Sequence, residues 1–227
     1  MLSRKNILFV LLVFLLGTSI LLSQNNKLGN WYIYFGSQKI NKHFNWHNEI
    51  QWRNYNAAGD LEQLLLRTGI GYNITENNNN LLLGYGFIHS QNYLDGLSEK
   101  KILDEHRVFQ QYIGKHKVGR FYFQHRLRVE ERFFTSSAKY RGRYFLGLNI
   151  PVTKKTMEVH ALYLSAYNEI FINSHTPQYD RNRVYGALGF VLAKYLKVEF
   201  GAMSQLFQNK NRTQFQIVLF NNIPFKD

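Results

Sequence analysis

The feature that most limits this chain is a two-residue rhythm of apolar and polar side chains, held over segments of about ten residues. From Phe44 to Arg53, Phe44, Trp46, Ile50 and Trp52 fall on one side of an extended chain. Asn45, His47, Glu49, Gln51 and Arg53 fall on the other. Side chains of a strand alternate sides, so the segment has one greasy face and one charged face. The rhythm returns over residues 64–74, 81–90, 121–133, 140–150, 184–192 and 215–223. Residues 31–37, 105–113 and 157–171 carry apolar residues on both faces or slip phase, which we read as bulges or thick aromatic rims.

Turn signals separate these runs. Short ones at 75–80, 114–119, 151–156 and 193–196 alternate with longer connections at 56–62, 92–104, 134–139 and 172–178. Outer-membrane barrels show this asymmetry, with short periplasmic turns and longer outer loops. The 92–104 connection reads as the longest and most polar and is placed outside. Eleven candidate strands result. Because single-chain bacterial barrels use even numbers, the expectation is an all-β, transmembrane, antiparallel up-and-down barrel of about twelve strands, with about ten as the alternative.

The first residues are set aside from the fold. Arg4 and Lys5 precede an unbroken apolar run from Ile7 to Leu16, and Gly17-Thr18-Ser19 loosens it. That run is shorter than the roughly 20 apolar residues of a spanning helix. It reads as a signal peptide over residues 1–23, with an uncleaved anchor as the runner-up and the barrel occupying 24–227. The chain contains no Cys, so disulfides, thiolate metal sites and thiol nucleophiles are excluded. The formal charge is +13, of which Arg4 and Lys5 account for two. Such a balance calls for acidic partners. Export disfavours nucleic acid and favours lipid phosphates, outer-membrane lipid and lipopolysaccharide, with the barrel assembly machinery as a partner during biogenesis. Subunit number is left open.

A soluble β-sandwich also alternates. Three features favour a barrel in lipid, one being the export route that the signal peptide supplies. The strands are uniformly long, whereas soluble strands average about five or six residues, and the polar faces repeat Gly and Arg as a crowded lumen would. Open sheet edges cannot sit in lipid, so such strands must close.

Residues 105–203 carry a more specific pattern: Glu105-His106-Arg107, Gln110-Gln111, His125-Arg126-Leu127-Arg128, Glu130-Glu131-Arg132-Phe133, Arg141, Arg143-Tyr144, Asn149-Ile150-Pro151, Tyr167-Asn168-Glu169-Ile170-Phe171 and Asn182-Arg183. This resembles the bacterial family known as domain of unknown function 2490, over nearly all of the mature chain. The resemblance implies an outer-membrane β-barrel and no established activity. Outer-membrane barrels tend to finish on an aromatic residue, whereas here Phe225 is followed by Lys226-Asp227.

The candidate site is the charged inner face: Glu49, Arg53, Arg67, Arg126, Arg128, Glu130, Arg132, Arg141, Arg143, Glu169, Arg181 and Arg183, with Glu105 as a further acid. The strands over 121–133 and 140–150 should pair as a hairpin, placing their inward arginines beside Glu130. Three roles fit. The charges fill a narrow lumen as ion pairs, line a narrow anion-preferring path, or accompany binding of a ligand or lipopolysaccharide at the outer rim.

The alternative from another class is an outer-membrane hydrolase acting on lipid or peptide at the extracellular rim. The known His-x-Ser arrangement puts both groups on one strand face, and this chain lacks it; His89 and Ser90 are adjacent and point apart. Such an enzyme would need a cross-strand Ser–His pair. The eight His have no metal spacing. Gly69-x-Gly71 and Gly84-x-Gly86 sit inside strands, where small residues relieve crowding. No cofactor, metal or catalytic residue is assigned.

Overall fold

A computed structural model describes residues 28–76, 78–94 and 96–225. The expected signal segment, residues 1–23, and Lys226-Asp227 lie outside the described residues. The alternating segments form β1 (Gly29–Lys39), β2 (Phe44–Asn54), β3 (Leu61–Thr75), β4 (Asn79–Tyr93), β5 (Lys100–Val118), β6 (Phe121–Phe134), β7 (Ser137–Pro151), β8 (Leu162–Asn173), β9 (Tyr179–Ala193), β10 (Leu196–Leu206) and β11 (Asn211–Asn221). Each strand pairs antiparallel with its neighbours in sequence, and β1 closes the barrel against β11.

The strand count is eleven, not the twelve or ten expected from the even-number rule. An odd up-and-down sheet brings its first and last strands together running the same way, so the closing pair is parallel, with Trp31 opposite Gln216 and Phe35 opposite Phe220. Parallel ladders are slightly weaker per residue. Side chains reinforce this seam. Gln38 Nε2 donates to the Asn221 carbonyl at 3.1 Å, Asn221 Nδ2 donates to the Tyr34 hydroxyl at 3.1 Å, and the Phe35 and Phe220 rings stack at 5.5 Å. Inside, Trp31, Ile33, Tyr185, Ala187, Met203 and Val218 form an apolar cluster behind it.

The connections after β2, β4, β6, β8 and β10 gather at one end, here called upper, and those after β1, β3, β5, β7 and β9 at the lower end. The four connections expected to be long are all upper, and the four expected to be short are all lower. Their lengths differ from expectation. Only residues 135–136 join β6 to β7 at the upper end, while the longest connection among the described residues, 152–161, is lower. Most of 92–104 and 114–119 belongs to strands. Tyr93 pairs with Lys100, and Val118 with Phe121. Ladder hydrogen bonds use the backbone, so charged rim residues pair as readily as apolar ones, and polar composition alone overstates loop length.

The faces are inverted relative to a soluble sandwich. Leu83, Leu127, Leu188 and Phe200 are outward and more than half exposed, whereas Glu49, Arg128, Glu130 and Glu169 are inward and buried. Glycines on the inner face make room for rings from adjacent strands. Phe109 lies over Gly84 and Tyr163 over Gly189, where an added Cβ would sit 2.3 Å and 2.2 Å from ring carbons. Gly189→Ala therefore overpacks the lumen and should destabilise the refolded barrel by about 1–3 kcal/mol in a denaturant titration, with Tyr163→Leu in the same chain recovering part of the loss.

Candidate functional site

The inner faces of β5 to β9 bring their charges to one level. Glu130, on β6, is fully buried. Its Oε2 accepts from Arg141 Nη2 at 2.6 Å and Nε at 3.0 Å, and its Oε1 accepts from Arg143 Nη1 at 2.7 Å and Arg107 Nη1 at 3.3 Å. The β6–β7 register sets this up by placing Glu130 opposite Arg141 and Arg128 opposite Arg143. Glu169, on β8, accepts from Arg143 Nη2 at 2.7 Å and Arg126 Nη2 at 2.8 Å, with Arg183 Nη1 3.9 Å away. Arg143 thus bridges the two carboxylates.

Around this centre, Glu105 holds Arg107 at 2.6 Å and Arg132 at 2.8 Å. Asp180 holds Arg141 at 2.8 Å and Arg181 at 3.0 Å. Glu49 accepts from Arg67 Nη1 at 2.6 Å and from Gln51. Charge-assisted forks of this kind are short and strong. They must offset a desolvation cost of several kcal/mol per buried ion.

Arginine outnumbers acid in the network. The surplus guanidinium groups rest on amide oxygens and rings. Arg53 donates to Gln51 Oε1 and Gln63 Oε1 and lies 3.8 Å from the Trp31 ring centroid. Arg128 donates to Gln111 Oε1 at 2.5 Å and covers Phe109 at 4.5 Å. Arg183 donates to Gln205 Oε1 at 3.0 Å. Phe171 is met by the guanidinium groups of Arg141, Arg143, Arg181 and Arg183, all within 5.8 Å of its centroid. Desolvated cation–ring contacts contribute about 2 kcal/mol.

The network lies in the upper half of the lumen. Below it lies a cavity of about 1060 Å³, with Glu49, Arg67, Arg128, Glu169 and Arg183 near its floor and Lys39, Asn41, Lys42, Asn78, Tyr195 and Pro224 at its lower rim.

All twelve residues singled out from the sequence project inward. Arg107, Gln111, Asp180 and Glu199 also belong to the inner face and escaped that reading. In β5, Glu105, Arg107, Phe109 and Gln111 are buried and inward, while His106 and Gln110 point out. The inward Phe109 and the outward polar residues disguised the rhythm. A cue was present in Gly84, the cross-strand partner of Phe109, which leaves space for a ring. Glu199 receives the Tyr163 and Tyr185 hydroxyls at 3.0 and 3.1 Å, away from the arginines.

The two groups of the adjacent His89-Ser90 separate. His89 Nδ1 meets Asp104 Oδ1 at 2.7 Å on the outer face, while the inward Ser90 hydroxyl accepts from Gln63 at 2.7 Å. No group of three or more metal-ligating side chains occurs among the described residues.

A family model described as Protein of unknown function (DUF2490) matches residues 28–216. No curated protein and no solved structure matches the chain.

The central carboxylate generates the clearest test. Glu130→Ala leaves buried guanidinium groups without their shared acid and should lower the unfolding free energy of the refolded barrel by about 3–5 kcal/mol. Glu76→Gln breaks only the exposed pair with Lys39 and should leave the denaturation midpoint unchanged.

Proposed function

The chain belongs to the DUF2490 family of proteins of unknown function, and from that membership and the barrel's geometry we propose an outer-membrane β-barrel of a double-membraned bacterium whose lumen is sealed on one side by ion pairs. On this reading it is a structural or accessory barrel, not an enzyme and not an open channel. It is exported by the signal peptide at residues 1–23, lies among outer-membrane lipid and lipopolysaccharide, and is inserted by the barrel assembly machinery. The lower end, carrying the connections after odd-numbered strands, faces the periplasm.

The observation that carries the membrane assignment is the inverted face pattern. Apolar side chains cover the outside of a closed sheet, and the ion pairs are inside. In water, that outer surface would be a very large exposed apolar patch. In lipid it is the required surface, and closure leaves no strand edge unpaired. The strands run 11 to 19 residues, enough for a tilted crossing, which takes about 9–11 residues.

The sealed reading is supported by the upper-half lattice, where Glu130 and Glu169 gather arginines from β5, β6, β7 and β9 on the inner wall. A second reading, a narrow anion path, draws on the excess of arginine over acid.

Planar-bilayer recordings of the refolded protein separate the two. The sealed barrel inserts and stays electrically silent, whereas steady anion-selective openings would overturn it in favour of the path. The membrane assignment has its own test. Leu127 is outward and 54% exposed near the middle of β6. Leu127→Arg should cost about 2–4 kcal/mol in the bilayer and reduce assembly into outer-membrane vesicles. Unimpaired insertion would argue against a lipid-facing Leu127.

A further inference from the structure

The lower cavity has two unlike sides. Trp31, Ile33 and Phe35 of β1 and Val218 and Phe220 of β11 make an apolar wall rising from the ionic floor towards the rim. Facing strands supply guanidinium groups and amides, interspersed with Leu82, Ile113, Phe145 and Tyr167. Nine Lys and Arg side chains line the cavity against four Glu among the described residues, so its field favours anions.

The floor also holds donors that the protein leaves unused. Arg128 and Arg67 have side chains only 1% and 4% exposed. Arg128 Nη1, Arg67 Nε, Arg126 Nε and Trp31 Nε1 have no hydrogen-bond partner among the described residues. Arg128 Nη1 lies 3.7 Å from Glu130, beyond hydrogen-bond reach. Two further unpartnered cavity atoms, His47 Nε2 and Glu49 Oε2, face each other at 3.5 Å. Each of these guanidinium groups also has one hydrogen-bond partner, Arg128 on Gln111, Arg126 on Glu169 and Arg67 on Glu49, and keeps a further nitrogen without one. Buried donors without acceptors cost stability, and the side chains that carry them line a space of ligand size. Binding cavities usually span about 300–1,000 Å³ and combine apolar walls with a few convergent polar groups.

We propose that the lower cavity is a binding site for an organic anion with an apolar body, its carboxylate or phosphate received by Arg126, Arg128 and Arg67 and its body lying along the Trp31–Phe35–Phe220 wall. The site follows from the lumen alone and does not depend on where the barrel resides. With the sealed upper half proposed above, the cavity is a blind cup entered from the lower end. Lys115 and Lys197, which also line the cavity, form no ion pair among the described residues and would attract the anion inward.

The chain supplies its own reporter. Of its three Trp, Trp46 and Trp52 are exposed on the outer face and Trp31 is buried in the lumen. In a Trp46→Phe/Trp52→Phe protein, emission therefore comes from Trp31 alone. 4-Nitrophenyl phosphate, an anion with an aromatic body that absorbs where tryptophan emits, should quench it saturably. The neutral 4-nitroanisole should not saturate at the same concentrations, and added salt should weaken the anion.

Arg126→Gln and Arg128→Gln should each weaken the apparent affinity by roughly tenfold. Because either variant could fold poorly, inorganic phosphate is also titrated as a competitor in the otherwise unaltered single-Trp protein, where it should displace the probe. Linear, unsaturable quenching by both probes would overturn the proposal, leaving an aqueous cavity with hydrated arginines. Saturation that neither arginine variant nor phosphate alters would overturn the assigned floor.

Discussion

The structure depends on neutralising guanidinium groups that the alternating sequence sends to the inside of the barrel. Once the apolar faces turn outward, arginines from β2, β3, β5, β6, β7 and β9 enter a narrow lumen together. Each would be prohibitive alone in that space. Glu130 and Glu169 make the arrangement tenable because each carboxylate serves several guanidinium groups, and Arg143 serves both. Neighbouring strands from β5 to β9 are thereby tied through their side chains as well as along their ladders. That second set of bonds also supports a sheet whose closing pair is the weaker parallel kind.

Aromatic side chains complete what the carboxylates cannot. Phe171 sits among four guanidinium groups, and Trp31 lies beneath Arg53. These rings provide negative faces without adding charge. They need space on a crowded inner surface, and the inner glycines supply it at Gly84 and Gly189. Charge, ring and glycine on the inner face form one packing solution, and a substitution in any of the three classes disturbs the others.

The two halves of the lumen divide the labour. In the upper half, Glu105, Glu130, Glu169 and Asp180 gather the arginines into ion pairs. In the lower half, cations outnumber carboxylates around a cavity, with an apolar wall on β1 and β11 facing a mixed basic and aromatic one. That contrast separates an ion-paired half from a cavity-bearing half within a single barrel. The wall follows from closure, because β1 and β11 both place apolar residues inward at the seam.

Much of this was legible in the sequence. Period-two alternation determined that the chain makes strands, which face each side chain takes and that Glu130 has arginines for neighbours, because side-chain direction in a strand depends only on its place in the alternation. It also determined the charge carried inside. Phe109 and Arg107 were hidden because a ring that fills the lumen looks in sequence like one that faces outward. Three things were decided only by the tertiary structure: closure at eleven strands through a parallel seam, the sharing of Glu169 between Arg126 on β6 and Arg143 on β7, and the emptiness of one half of the lumen. Each depends on how distant strands meet around a closed circle, and local alternation carries no information about that meeting.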